Sequence, residues 1–219
     1  MNNKALKRRI IEISYKHKLS HIGSCLTAVD IIKEIYDTKK EDEKFVLSSG
    51  HAGLALYVVL EEYLGRQLIG DSCVSHSAEY FFKKHGVHPN RDRHIDCSSG
   101  SLGNGLPISL GMALADRSKN TYCLISDGEL AEGSIHEALR IKKQQKVDNL
   151  KVYLNWNGWG AYDRTDWITW KMIEDWQEDG IIVCGTANPI PYIPLFDGQD
   201  AHYVVMDEKD YKEIMEIFK

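Results

Sequence analysis

Tyr122-Cys123-Leu124-Ile125-Ser126-Asp127-Gly128-Glu129 decides how the rest of the chain is read. Tyr122 to Ile125 is a short unbroken apolar run, which reads as a strand buried on both faces. It runs straight into a carboxylate and a glycine. Ser134 to Gln145 follows at helical spacing, and Leu150-Lys151-Val152-Tyr153-Leu154 is a second strand. A strand–helix–strand succession returns the chain to the same edge of a parallel sheet. Working outward, Phe45-Val46-Leu47-Ser48-Ser49, stopped by Gly50, reads as an upstream strand. Ile181-Ile182-Val183-Cys184, stopped by Gly185, reads as a downstream one. Helices are predicted at Ala5–Lys18, from a capping Thr27 to Tyr36, and at Ala52–Leu64, Pro107–Ala115, Trp167–Trp176 and Glu208–Phe218. Asn155 to Gly160 is expected as a loop and Gly65 to Ser101 as irregular. Thr186 to Gln199, with Pro189, Pro191 and Pro194, is expected to be extended. The fold class is therefore α/β, a mostly parallel sheet flanked by helices on both faces. No repeat or domain boundary interrupts it, so residues 1–219 are expected to form one domain.

Composition narrows the function. The chain carries 27 Lys+Arg against 32 Asp+Glu, a formal net charge of −5. That balance argues against broad binding of a nucleic-acid backbone but leaves room for a small phosphorylated ligand. No apolar run reaches the roughly 18 residues of a membrane span. Met1 to Ser14 lacks the apolar core and cleavage site of a secretory signal. The 5 cysteines are odd in number and form no CxxC pair. They read as reduced core thiols, and a cytoplasmic protein is expected.

In open α/β sheets, ligands bind outside the carboxyl ends of the strands. Two such ends carry unusual loops here, Ser126-Asp127-Gly128-Glu129 and Asn155-Trp156-Asn157-Gly158-Trp159. Either alone is an ordinary turn. Placed on successive parallel strands, Asp127 and Asn157 come close together. A carboxylate and an amide oxygen are hard ligands that suit Mg²⁺ better than Zn²⁺. Mg²⁺ keeps positions open for phosphate oxygens, so the pair suggests a metal bridge to a diphosphate.

Ser-Asp-Gly-Glu-Leu-Ala-Glu-Gly-Ser-Ile-His-Glu, running through Asp148-Asn149-Leu150 to Asn157-Gly158, resembles the thiamine diphosphate signature of transketolases. Ser126 stands where that signature has its first glycine. Further segments resemble the family in the same order: Ser20-His21-Ile22-Gly23, Phe45 to His51, Gly86-Val87-His88-Pro89-Asn90 and Ser99-Gly100-Ser101-Leu102-Gly103-Asn104-Gly105.

The resemblance implies a thiamine diphosphate-binding fold and a set of roles. Asp127, the Asn157 side chain and the Trp159 carbonyl would hold Mg²⁺, with Ca²⁺ or Mn²⁺ able to replace it. Gly128 and His51 would contact the diphosphate, and Gly100 and Leu102 the cofactor's ring end. His21, His88 and His202 would line the substrate channel, binding hydroxyls and moving protons. His202 rests on Asp200 to Met206, which resembles the segment that closes the family's first domain. Glu132 and Glu137 would lie in a dimer contact. The reaction implied is transfer of a two-carbon ketol unit from a ketose to an aldose.

No segment here resembles the pyrimidine-binding or third domain of complete transketolases. The resemblance therefore implies a split enzyme in which this chain is the N-terminal subunit. The C-terminal transketolase subunit would carry the pyrimidine domain, with two of each chain assembled together. The substrate would be a sugar or sugar phosphate, in central pentose metabolism or in a pathway making an unusual sugar. Three alternatives stand beside it. One is another thiamine enzyme, of the 1-deoxyxylulose-5-phosphate synthase or 2-oxoacid dehydrogenase kind. The second is a non-catalytic partner that keeps the fold. The third is a simple nucleotide-binding protein, which would want a GxxxxGK[ST] or GxGxxG loop after a strand.

Overall fold

Buried apolar strands set the architecture. The structure is a computed structural model that describes residues 3–67, 76–160, 163–165, 167–185 and 191–219. In chain order the elements are α1 (Asn3–His17), α2 (Ile22–Thr38), β1 (Lys44–Leu47), α3 (Gly53–Gln67), α4 (Ala78–His85), α5 (Gly105–Ala115), β2 (Thr121–Ser126), α6 (Gly133–Gln144), β3 (Leu150–Trp156), α7 (Trp167–Glu178), β4 (Ile182–Gly185) and α8 (Glu208–Ile217). They divide between two compact units.

One unit comprises Asp37–Gly50 and His88–Ala187 and carries the sheet. Its strands run β1-β2-β3-β4, every neighbouring pair parallel. All six residues of β2 are buried, as an inner strand requires. Val46, Cys123, Ile125, Val152 and Leu154 share a core with Leu106 and Leu110 of α5 and Ile135 and Leu139 of α6. The expected α/β class with a parallel sheet is observed. β3 runs two residues further than the apolar pattern suggests: Asn155 pairs with Ser126 and is buried, so it belongs to the strand rather than to the loop. That register sets the end of β2 beside the end of β3.

The other unit comprises Met1–Tyr36, His51–Val87 and Asn188–Lys219 and is helical. α1 packs on α3 and α8, and α3 on α4. Ile10, Ile11 and Ile13 of α1, Ile32 and Ile35 of α2, Tyr57 and Leu60 of α3 and Phe81 of α4 are all buried. Three expectations are corrected in this unit. α2 begins at Ile22, so Thr27 lies inside the helix rather than at its cap; its hydroxyl donates to the Ser24 carbonyl at 3.1 Å. α4 occupies a stretch expected to be irregular, with the Ser77 hydroxyl accepting the Tyr80 N–H at 3.1 Å as its cap. Pro194–Phe196 forms a 3₁₀ turn where extended chain was expected; residues 186–190 of that stretch lie outside the described residues.

Candidate active site

At the end of β2 the chain turns through a 3₁₀ segment, Asp127–Ala131. The Asp127 carboxylate is 3% exposed and faces the loop that follows β3. Its Oδ2 accepts the N–H groups of Asn157 at 3.0 Å, Gly158 at 2.7 Å and Trp159 at 3.2 Å. Its Oδ1 accepts the Gly128 N–H at 3.1 Å. Burial pushes the carboxyl up to about 6, even though the four N–H donors favour the charged form. Gly158 holds φ +87, a backbone state only glycine adopts without strain, and this lets three successive N–H groups converge on one oxygen. The loop then closes on itself: Trp159 bridges Arg164, whose guanidinium sits 4.6 Å from the indole centre.

The donor set fits a small divalent cation. Asp127 Oδ1 accepts one N–H and keeps lone-pair capacity. The Asn157 side-chain oxygen lies in the same loop and accepts the Trp159 N–H at 2.9 Å. Both are hard oxygen donors of the kind Mg²⁺ takes. The Gly128 N–H, expected toward a diphosphate, is directed at Asp127 Oδ1 here.

Sequence reading passed over Glu129, which is fully buried. Its Oε2 accepts the Ser126 N–H at 2.9 Å, and its Oε1 accepts the Gly103 N–H at 2.9 Å and the Ser48 hydroxyl. The signal was present, because Ser126-x-x-Glu129 has the spacing of a capping box. Nearby, the Ser99 N–H donates to the Pro89 carbonyl at 3.0 Å. The His88 ring packs on Gly100, its Cγ 3.4 Å from where a β-carbon there would sit. His88 is exposed and Leu102 half-buried. Glu132 is half-buried, and Glu137 is exposed beside Arg140 at 3.5 Å.

The helical unit gathers three of the expected histidines. The His21 ring lies 5.4 Å from His51 and 6.0 Å from His202, centre to centre. The His21 N–H donates to the His202 carbonyl at 2.9 Å. His21 itself holds φ +56, a left-handed state uncommon for a residue with a side chain. His202 Nδ1 lies 3.0 Å from the Gln199 carbonyl; a carbonyl only accepts, so Nδ1 carries the proton and the neutral ring presents Nε2 as an acceptor. Tyr203, 70% exposed, stands 6.0 Å from His21 and was not anticipated.

A family profile described as the transketolase thiamine diphosphate binding domain matches residues 16–169. The chain belongs to that family. This thiamine diphosphate binding domain is 34% identical over 168 residues to one of the subunits of the apulose-4-phosphate transketolase of Phocaeicola vulgatus, covering 69% of this chain and 58% of that protein. It is 33% identical over 162 residues to human transketolase, covering 65% of this chain and 25% of the other. The chain thus spans little more than half of one relative and a quarter of the other. Its fold resembles that of a solved transketolase from Campylobacter jejuni, with a TM-score of 0.64 at 18% identity, over 84% of this chain and 36% of that one.

Proposed function

We propose that this chain is the diphosphate-binding subunit of a transketolase-type transferase. It acts with thiamine diphosphate and Mg²⁺ to move a two-carbon ketol unit from a ketose to an aldose. One observation carries the reading: a buried carboxylate at the end of β2 lies within hydrogen-bond reach of the Asn157–Trp159 loop after β3. That is the placement a metal–diphosphate site on parallel strands requires.

Thiamine diphosphate supplies an electron sink for the carbon released when a ketose C–C bond is cleaved. This chain's residues do the binding and orienting. Asp127, the Asn157 side chain and the Trp159 carbonyl hold the cation. Gly128 and His51 offer N–H groups to the diphosphate, and Gly100 and Leu102 face the ring end. His21, His88 and His202 bind sugar hydroxyls and move protons, since imidazoles both donate and accept. The fixed Nδ1–H of His202 makes its Nε2 the proton acceptor. The histidine set supports ketose chemistry over the other thiamine enzymes.

In this reading residues 1–219 serve as one functional domain and work with a second polypeptide that carries a pyrimidine-binding domain, two of each chain in the assembly. Glu132 and Glu137 lie at the contact between copies. The relative from Phocaeicola vulgatus is named as one subunit of a transketolase for apulose 4-phosphate, which supports both a partner and a sugar-phosphate substrate. Cys25, Cys97, Cys123 and Cys184 are free thiols, which supports a cytoplasmic setting. No helix of the described residues is long and apolar enough to cross a membrane. The test is to purify this chain with the product of the neighbouring gene and assay thiamine-dependent transfer from ketose and pyruvate donors. Transfer from the ketose supports the proposal, and use of pyruvate alone overturns it.

A further inference from the structure

Glu129 lies at the centre of a buried cluster that joins three strand-end segments. Its carboxylate takes the Ser126 N–H at 2.9 Å and the Ser126 hydroxyl at 3.3 Å, immediately before Asp127. It takes the Gly103 N–H at 2.9 Å, in the loop that carries Gly100 and Leu102. It also takes the hydroxyl of Ser48, just past the end of β1. Ser48 in turn accepts the Gly105 N–H, the first residue of α5, at 3.1 Å. The loop is held tight around this point. A β-carbon on Gly103 would meet the Ser134 hydroxyl at 2.6 Å, and one on Gly105 would meet Ser48 at 2.6 Å.

The protein interior gives no water to replace these bonds, so a buried carboxylate with several acceptor contacts fixes the segments that donate to it. We infer that Glu129 is a positioning residue for the cofactor, locking the 100–105 loop to the Asp127 turn so that the ring-end and metal-end contacts keep a fixed separation. The inference rests on the functional reading above, yet Glu129 touches neither the cation nor the diphosphate in it. Its role is to set the distance between the groups that do.

Glu129→Gln keeps the shape and removes acceptor capacity. The full chain, purified with its partner, is compared with the variant by backbone hydrogen exchange and by calorimetric titration with thiamine diphosphate at saturating Mg²⁺. The expected result is exchange about tenfold faster at residues 102–105 and 126–128, unchanged exchange in β3, and cofactor affinity about tenfold weaker. Unchanged exchange in those two segments overturns the inference. So does faster exchange with unchanged affinity, because the bonds would then be structural only. Ser48→Ala provides a second route should the glutamine variant fail to fold: it removes the hydroxyl linking Glu129 to α5 and is expected to weaken cofactor binding in the same direction, with unchanged affinity again overturning the inference. A wild-type complex that binds no cofactor removes the functional reading itself, an outcome distinct from all of these.

Discussion

Asp127 Oδ2 accepts the Gly158 N–H at 2.7 Å, joining the turn after β2 to the loop after β3. With Asn157 and Trp159 donating to the same oxygen, the carboxylate is the point on which both loops converge. Its burial makes the metal-free protein sensitive to pH. The folded carboxyl is raised to about 6 from its ordinary 3.8, so the native state holds a proton that the unfolded chain has released between those values. Stability therefore falls as pH rises through that window, by an upper limit of about 3 kcal/mol. Asp127→Asn removes the titration. The melting temperature of the variant relative to wild type should rise between pH 4 and pH 7 without metal. Mg²⁺ competes with the proton, so its affinity for the wild type should strengthen through pH 6. Parallel melting curves for the two proteins would contradict the assignment.

Gly103 and Gly111 should respond oppositely to alanine. Gly103 has φ +78, and a β-carbon there would lie 2.6 Å from the Ser134 hydroxyl and 2.7 Å from Glu132 Cβ. Gly103→Ala should cost about 1–3 kcal/mol in chemical denaturation. Gly111 lies within α5 with open space around it. Gly111→Ala should raise stability by about 0.5–1 kcal/mol.

Glu43 ties the start of β1 to the start of β2. It accepts the Lys40 N–H at 2.9 Å, the Asn120 side-chain amide at 2.7 Å and the Tyr122 hydroxyl at 3.1 Å. Burial raises the carboxyl, but these bonds together outweigh it and hold it below its usual range. A depressed carboxyl contributes stability above its unfolded pKa and loses it as pH falls through the folded value. Glu43→Ala should destabilise the chain by about 3 kcal/mol at pH 7, and by progressively less in acid.

His202→Ala should lower kcat for ketol transfer about 100-fold in the assembled enzyme, with the melting temperature unchanged. The paired control is His94→Ala. His94 makes its backbone bond to Asp92 Oδ1 at 2.8 Å, and its ring has no role in the reading, so turnover should hold. Equal losses in both variants would remove His202 from the substrate channel.

The parallel sheet was legible because Tyr122–Ile125 and Leu150–Leu154 are unbroken apolar runs, and such runs have few other destinations. The pairing of Asp127 with the Asn157 loop followed from strand–helix–strand topology alone. Helix starts were less legible. Thr27 carries the chemistry of a cap, but burial of Ile22 and Leu26 on the same face draws α2 five residues further back. α4 was hidden because its eight residues are too short for helical periodicity to stand out. Glu129 was overlooked because its partners, Ser48 and Gly103, are distant in sequence and only the folded sheet brings them together. Tyr203 gave no signal, since an exposed aromatic in a turn has no period to betray it.

The central claim is that the side-chain oxygens of Asp127 and Asn157 hold one divalent cation. Crystals of the assembled enzyme grown with thiamine diphosphate and Mn²⁺ test it most directly through the anomalous signal. The account predicts one peak at coordination distance, about 2.1 Å, from an oxygen of each side chain and from a phosphate oxygen. A peak elsewhere, or one bound to neither residue, would contradict it.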